Sequence, residues 1–266
     1  MGDFLEMLHI TAEWFSELSM FPLFDIAHYI LMIAAVRKDA GIEFSRKNPL
    51  ACWLCSLLSS FAGGVIANFL LAQPILGAFE SPVNIATATI VWYLVFYSPY
   101  DLFHKIVMWS PVYLVVLALK EVTRPRKILG GIAQTAKVFP KAYHLMVLIG
   151  VVKASGSNWM KNFERLARGV WTPTSNELMK PSFVLKVSVV GSVLFVLQKQ
   201  GTVSMSQELL LLLYSLFLIF WKVSMTLVSV PDPFVPLEGL SCFIFFGSEE
   251  DTRVKKQTAD RKKKKE

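Results

Sequence analysis

Long apolar stretches, separated by short polar segments, dominate the chain from residue 20 onwards. A helix that crosses a bilayer needs about 20 mostly apolar residues. Seven stretches reach or approach that length when flanks with single charges are included: 20–37, 50–72, 83–99, 105–123, 129–152, 182–199 and 207–229. The pattern therefore predicts an all-α integral membrane protein with seven transmembrane helices.

Composition supports this prediction. Hydrophobic residues make up 54% of the chain and the mean hydropathy is +0.48, whereas globular chains are about 45 to 50% apolar even with glycine counted. Three cysteines provide no disulfide framework. The formal charge of +7 is concentrated at the end of the chain, where eight of the 27 basic residues lie between Arg253 and Lys265. This placement gives no reason to predict a nucleic-acid partner.

The distribution of basic residues orients the predicted helices, because short cytosolic loops carry an excess of Lys and Arg. The segments 37–47 and 153–180 and the tail are rich in basic residues, whereas the opposite side has Lys199 and the cluster at 124–127. We therefore place the acidic segment 1–19 in the lumen and the basic tail 231–266 in the cytosol. We predict that this tail is disordered. The closing Lys263–Glu266 resembles a dilysine retrieval signal, although a solvated charge run fits it equally well.

An Asp-x-x-His sequence follows a proline twice along the chain. The first copy contains Asp25 and His28, and the second contains Asp101 and His104. Three helices reverse the orientation of the chain, so a repeat of three spans gives inverted halves, as in many permeation proteins. We predict repeats over about 20–99 and 105–199 within a channel domain 20–230, with the helix 207–229 left over.

Ionisable residues inside the fifth predicted span are candidates for function. Lys137, Lys141 and His144 would share one helical face, and Pro140 interrupts the backbone hydrogen bonds between them. Gly130 and Gly131 lie at the start of this span. Such a face would line a pore or bind lipid headgroups; a buried helix whose lysines extend to the interface is the alternative.

Gly63 and Gly64 lie well inside the second predicted span. Glycine there lets a neighbouring helix pack closely. It also allows a kink whose carbonyl groups line an aqueous path. The sequence leaves both interpretations open.

A basic cluster ends the fourth predicted span. Lys120 and Arg124 are four residues apart, as a phosphate clamp requires. An anionic lipid headgroup bound between helices, a gating charge, and side chains that extend to the interface all fit this cluster.

No catalytic or metal site is predicted. Both Asp-x-x-His pairs lie near helix starts, where an acidic side chain is favoured by the helix dipole. Cys52 and Cys55 have C-x-x-C spacing but no second pair, and we interpret them as small apolar residues in a helix.

Several motifs together resemble the trimeric intracellular cation channels (TRIC). Two of them are the most specific, namely Lys120–Arg124, which reads KEVTR, and Asn162–Leu166, which reads NFERL. The others are Ser19–Pro22, Phe24–Tyr29, Trp92 with Tyr93, Gly130 with Gly131, Gly169, Trp171, Pro173 and Gly191–Val193. The KEVTR sequence is closer to the B type.

The resemblance implies a homotrimer with one pore in each subunit. It implies a potassium channel of the endoplasmic or sarcoplasmic reticulum membrane that supplies counter-ion flow during calcium release and responds to phosphoinositide, voltage and calcium. The second and fifth helices would line the pore, and Lys120 and Arg124 would hold phosphatidylinositol 4,5-bisphosphate. The family has three glycines in the second span, where this chain reads Ala62, Gly63 and Gly64.

Two other classes share features of the pattern. Secondary transporters of the SWEET type also contain two three-helix repeats, but their extra helix lies between the repeats. Seven-helix receptors carry a basic motif after the third span, where this chain reads Tyr100–Leu102.

Overall fold

The computed structural model describes residues 2–170, 181–228 and 230–236, without the side chains of residues 2–5. These ranges contain ten α-helices and two short 3-10 helices, and no strand. The α-helices are α1 (Gly2–Glu17), α2 (Leu23–Ala40), α3 (Ile42–Lys47), α4 (Pro49–Leu70), α5 (Pro82–Tyr97), α6 (Leu102–Met108), α7 (Ser110–Val138), α8 (Tyr143–Ala167), α9 (Phe183–Lys199) and α10 (Gln207–Leu227). The 3-10 helices are Ile75–Phe79 and Pro99–Asp101.

Helices α2, α4, α5, α9 and α10 lie where five of the apolar spans were predicted, with ends within three residues. Within the described ranges, α4 and α10 are each long and apolar enough to cross a bilayer. The segment Pro99–Met108 and α7, which meet at a bend of 65°, satisfy the same test when taken together. Helix α5 is apolar but has 16 residues. The count of seven spans thus stays a prediction.

The bounds predicted for the fourth and fifth spans are wrong. Helix α7 continues through the basic cluster to Val138, and α8 begins only at Tyr143. The chain instead breaks at Trp109 and at Phe139, whose φ of −130° and ψ of 75° are not helical. Pro140 explains the second break, because a proline disfavours the α conformation in the residue before it.

The basic cluster is helical because its charges have partners inside the protein. Arg124 pairs with Glu121, and Lys127 contacts His28. Arg126 caps the end of α1: its Nη1 donates a hydrogen bond to the Leu18 carbonyl (2.5 Å), and its Nη2 donates to the Phe15 carbonyl. A polar loop is therefore not needed to solvate these groups.

Helices α4 and α8 form the most extensive helix pair, and α7 packs on both α8 and α2. Helix α5 packs on α2, α9 on α8 and α7, and α10 on α7 and α1. An apolar cluster between α2, α4 and α5 contains Tyr29, Ile33 and Val91 together with Cys52 and Cys55, which are buried and free. The interpretation of Cys52 and Cys55 as apolar packing residues is confirmed.

Residues after Leu227 form a separate unit, of which 230–236 are described in secondary structure. In this segment the Phe234 backbone N–H donates to Asp232 Oδ1 at 2.9 Å. Most of the predicted tail 231–266 lies outside the described residues, as do Trp171, Pro173 and Lys180.

Candidate permeation path

A wide polar cavity with a volume of about 200 Å³ lies between α2, α4, α5, α7 and α8. Polar side chains from five helices line it: Asp25, His28, Ser60, Asn84, Lys127 and Lys153. Gly63 and Gly64 form part of the α4 wall. An acidic group and two lysines thus face one space inside a largely apolar helix bundle.

Lys127 is held by a histidine at one end of this cavity. Lys127 Nζ lies 2.8 Å from His28 Nε2. The same histidine nitrogen, Nε2, lies 3.0 Å from the Ser60 carbonyl oxygen. When Nε2 is unprotonated it accepts a hydrogen bond from the Lys127 ammonium, and when it is protonated it donates to Ser60. Both arrangements place the imidazole between α4 and α7.

Lys153, which lines the same cavity, is held by a network of side-chain amides. Its Nζ donates to Gln134 Oε1 at 2.7 Å, and Gln134 Nε2 donates to Asn68 Oδ1 at 2.8 Å and Gln73 Oε1 at 2.6 Å. Asn68 Nδ2 in turn donates to the Pro74 carbonyl at 3.0 Å. The network joins α8, α7 and the end of α4.

Two smaller cavities lie in series beside the first. A space of about 30 Å³ shares His28 and Lys127 with the wide cavity and is also lined by Lys120 and Arg124. A third, of about 100 Å³, shares Ser157 and Asn158 with the second. The three form a series of polar spaces that is narrowest in the middle.

The series ends at an ion-pair cluster that joins α2 to the end of α8. Arg165 pairs with Asp39 at 2.7 Å, and Arg168 pairs with both Asp39 and Glu164. Hydrogen bonds from Arg165, followed by those from Arg168, hold the pKa of the Asp39 carboxyl well below its usual range, against partial desolvation. Asp39 and Glu164 therefore place acidic oxygens at this mouth, bound to arginine.

Comparison with known proteins agrees with this architecture. The family model for TRIC channels matches residues 38–229. The trimeric intracellular cation channel type 1B.1 of Caenorhabditis elegans is 44% identical over 246 residues, covering 91% of this chain and 83% of the relative.

The chain belongs to the TRIC channel family.

Solved structures of TRIC channels match the fold. One, described as the basis for activity of TRIC counter-ion channels in calcium release, gives a TM-score of 0.80 at 39% identity and covers 83% of this chain and 99% of that chain. Another, a trimeric intracellular cation channel from C. elegans with bound Ca²⁺, gives 0.78 at 42% identity, with coverages of 84% and 98%. The protein is a membrane channel and not an enzyme.

The two residues of the predicted TRIC lipid clamp have different environments. Arg124 is buried, and its Nε and Nη2 donate to the two carboxylate oxygens of Glu121 at 2.8 and 3.0 Å. Its Nη1 also donates to the Ala154 carbonyl at 3.2 Å. Lys120 Nζ has no hydrogen-bond acceptor among the described residues and lines the narrow cavity. Lys120 is thus the member of the clamp that is open to a ligand.

The glycines predicted to line a TRIC pore divide into packing and cavity positions. A Cβ at Gly63 would lie 2.2 Å from the Lys153 carbonyl oxygen, and one at Gly131 would lie 2.9 Å from Gly150 Cα. A Cβ at Gly64 would meet Ala78 at 3.2 Å, and one at Gly130 would meet Lys153 Nζ at 3.7 Å. Helix α4 continues unbroken through 63–64 and α7 through 130–131, so close packing explains Gly63 and Gly131.

Lys137 and Lys141 do not share a helical face with His144, because α7 ends between them and α8 begins after them. Both lysines are exposed, and neither lines the three adjacent cavities. Their role in a pore stays a prediction. Of the two lysines in the wide cavity, Lys127 was grouped from the sequence with the basic cluster and not with the pore, and Lys153 was assigned to a cytosolic loop.

The two Asp-x-x-His copies occupy different sites. Asp25 and His28 face the wide cavity, whereas Asp101 forms an ion pair with the buried Arg37 at 2.7 Å. His104 Nδ1 lies 3.6 Å from Asp101 Oδ2. No group of three metal-ligating side chains occurs in the described part of the chain.

Proposed function

We propose that this TRIC channel conducts potassium through each subunit, along the three adjacent cavities between α2, α4, α7, α8 and α9. The observation that carries the proposal is that the cavities are adjacent: each neighbouring pair shares two lining residues. Irregular polar surface of this kind is tolerated at membrane depth only where it faces protein or a water-filled path.

The charges along the path are compatible with a cation. Lys127 and Lys153 are each hydrogen-bonded to a neighbouring side chain at the wall, and Asp25 faces the same cavity. Asp39 and Glu164 add carboxylates at the far mouth. Arg165 and Arg168 balance the charge of these carboxylates, so their oxygens can contact a passing cation without giving the mouth a net negative charge.

We further propose a homotrimer in the reticulum membrane that supplies counter-ion flow during calcium release, regulated by voltage and calcium. The relatives are named trimeric and intracellular, one similar structure is described as a counter-ion channel in calcium release, and another holds Ca²⁺. Lys120 and Lys127 within α7 provide charges on which a membrane field can act.

The proposed orientation has a lumenal N-terminus and a cytosolic C-terminus. Three apparent exceptions to the charge rule disappear, because Arg124, Arg126 and Lys127 lie inside α7 and not in a lumenal loop. The basic tail is then on the side where a dilysine signal is read. Protease protection of tags placed at the two ends in microsomes tests this orientation.

We propose that a phosphoinositide, phosphatidylinositol 4,5-bisphosphate, binds next to Lys120. Lys120, Arg124 and Lys127 line one narrow cavity, and Lys222 on α10 adds positive potential near Glu121. Basic pockets between helices bind such headgroups. The variant Lys120→Gln should lose binding to vesicles that contain this lipid, whereas Lys137→Gln, at the exposed end of the same helix, should not. Equal binding by both variants would remove Lys120 from the site.

Channel function is tested with the purified full-length protein in a planar bilayer under a potassium chloride gradient. Discrete current steps that reverse near the potassium equilibrium potential are expected. Reversal near the chloride potential would overturn the assignment of a cation channel. Electrical silence together with solute counterflow in vesicles would indicate a transporter.

A further inference from the structure

Lys153 lies in the middle of α8 and lines the wide cavity, where its ammonium group lacks a carboxylate partner among the described residues. Its Nζ lies beside Gly130, where an added Cβ would be at an ordinary contact distance of 3.7 Å. The only side-chain hydrogen bond of this ammonium within the described part of the chain goes to a neutral amide, Gln134. The positive charge is therefore not neutralised locally.

The orientation of the Gln134 amide is fixed by its neighbours. Asn68 Nδ2 donates to the Pro74 carbonyl, so Asn68 Oδ1 faces Gln134 as an acceptor. Gln134 Nε2 uses its hydrogens on Asn68 and on Gln73, which leaves Oε1 to accept from Lys153. The network thus holds the ammonium group at the cavity wall in one position.

We propose that the Lys153 ammonium, held by Gln134, limits cation flow by repelling cations from the wide cavity, with Asp25 acting in the opposite sense. The proposal rests on the function proposed above. A unit charge about 6 Å from a passing cation changes the local cation concentration by roughly threefold at the dielectric constant of water. Lys127 has a different position, at the constriction beside His28.

The test is single-channel conductance of three variants beside the wild type. Lys153→Met removes the charge and keeps much of the side-chain length. Lys153→Arg keeps the charge. Lys199→Met removes a lysine from the end of α9, which lines a separate cavity outside the series. In about 0.1 M potassium chloride, Lys153→Met should conduct roughly threefold more than the wild type, whereas the other two variants should match it.

Salt concentration separates a charge effect from a change in shape. The Debye length falls from about 10 Å at 0.1 M to about 3 Å at 1 M. The conductance of Lys153→Met should therefore approach that of the wild type as the salt concentration rises. Asp25→Asn should conduct less than the wild type at low salt and converge with it in the same way.

A variant with a restorable charge makes the test independent of folding differences. Lys153→Cys channels should conduct more than the wild type and lose that gain when a cationic methanethiosulfonate reagent reacts with the new thiol. A neutral reagent of similar size should leave the gain intact. Wild-type channels treated in parallel control for the native cysteines, of which Cys52 and Cys55 are buried.

The outcomes separate the two proposals. A wild-type protein that passes no potassium current overturns the proposed function. A conducting wild type, together with Lys153→Met and Lys153→Cys channels that behave like Lys199→Met at low salt, overturns the role of Lys153. A conductance gain that persists unchanged at about 1 M salt also overturns it, because the gain would then come from shape and not from charge.

Discussion

Replacing Gly63 by alanine should push apart α4 and α8, the most extensively packed pair of helices. The added Cβ would lie 2.2 Å from the carbonyl oxygen of Lys153 and 2.9 Å from its carbonyl carbon. Ordinary contacts begin at 3.4 Å, so α4 and α8 must move apart locally by about 1.2 Å. The obstacle is helix backbone, which cannot rotate away as a side-chain end can. The reciprocal position shows the same contact, since a Cβ at Gly156 would lie 2.4 Å from Gly63 Cα.

The expected cost follows from two opposing effects. Inserting a methyl group into a packed interface costs about 1 to 3 kcal/mol, and a backbone obstacle favours the upper end. Alanine is a better helix former than glycine by about 1 kcal/mol. Gly63→Ala should therefore destabilise the protein by about 2 kcal/mol.

Gly130→Ala is the matched control, because its Cβ would meet only the flexible end of Lys153 at 3.7 Å. It should keep a helix-propensity gain of about 0.5 to 1 kcal/mol. The melting temperature of the detergent-solubilised protein can be measured from the loss of the native size-exclusion peak after heating. It should fall by several degrees for Gly63→Ala, and it should stay the same or rise for Gly130→Ala. A Gly63→Ala protein as stable as the wild type would refute backbone contact between α4 and α8.

Two ion pairs give further predictions. Because the folded-state pKa of Asp39 is depressed, its stabilising effect is full above the unfolded value of about 3.9 and is lost as the pH falls through the folded value. Asp39→Asn should thus melt below the wild type at neutral pH, with the difference narrowing below about pH 4; a constant difference in a pH series would contradict this. Asp101→Ala leaves the buried Arg37 unpaired and should cost on the order of 2 kcal/mol, whereas Arg37→Met, which removes the buried charge, should cost less. Equal losses in melting temperature would show that desolvation of Arg37 is unimportant.

Apolar length was enough to locate five helices but not to place the charged ones. Helix α4 is apolar along nearly its whole length, so its bounds could be read from hydropathy. The segment 120–127 carries one acidic and four basic residues, and hydropathy alone predicts a loop there. It is helical because Glu121, His28 and the end of α1 bind its charges. Two of these partners lie about a hundred residues away in sequence and cannot be recognised from local pattern.

Two prolines also show that a local sequence pattern does not reveal which contacts a segment makes in the folded protein. Pro125 lies inside α7 and is buried, whereas the chain leaves the helix just before Pro140, at an exposed site. A proline removes one backbone hydrogen bond wherever it occurs, so its local chemistry is the same in both places. Packing against neighbouring helices keeps α7 continuous at Pro125 and is missing at Pro140. The sequence interpretation chose the wrong break because it weighed charge more heavily than this difference, which it could not see.

The lysines that line the cavities are not the ones that the sequence emphasised. The sequence directed attention to Lys137 and Lys141, which are exposed near the end of α7. Lys127 and Lys153 line the wide cavity, and each is hydrogen-bonded to a side chain that carries no negative charge. A neutral partner orients an ammonium without cancelling its field, whereas a carboxylate would do both. On the proposal for Lys153, the neutral amide of Gln134 therefore fixes the ammonium group at the cavity wall and leaves its charge able to act on a passing cation.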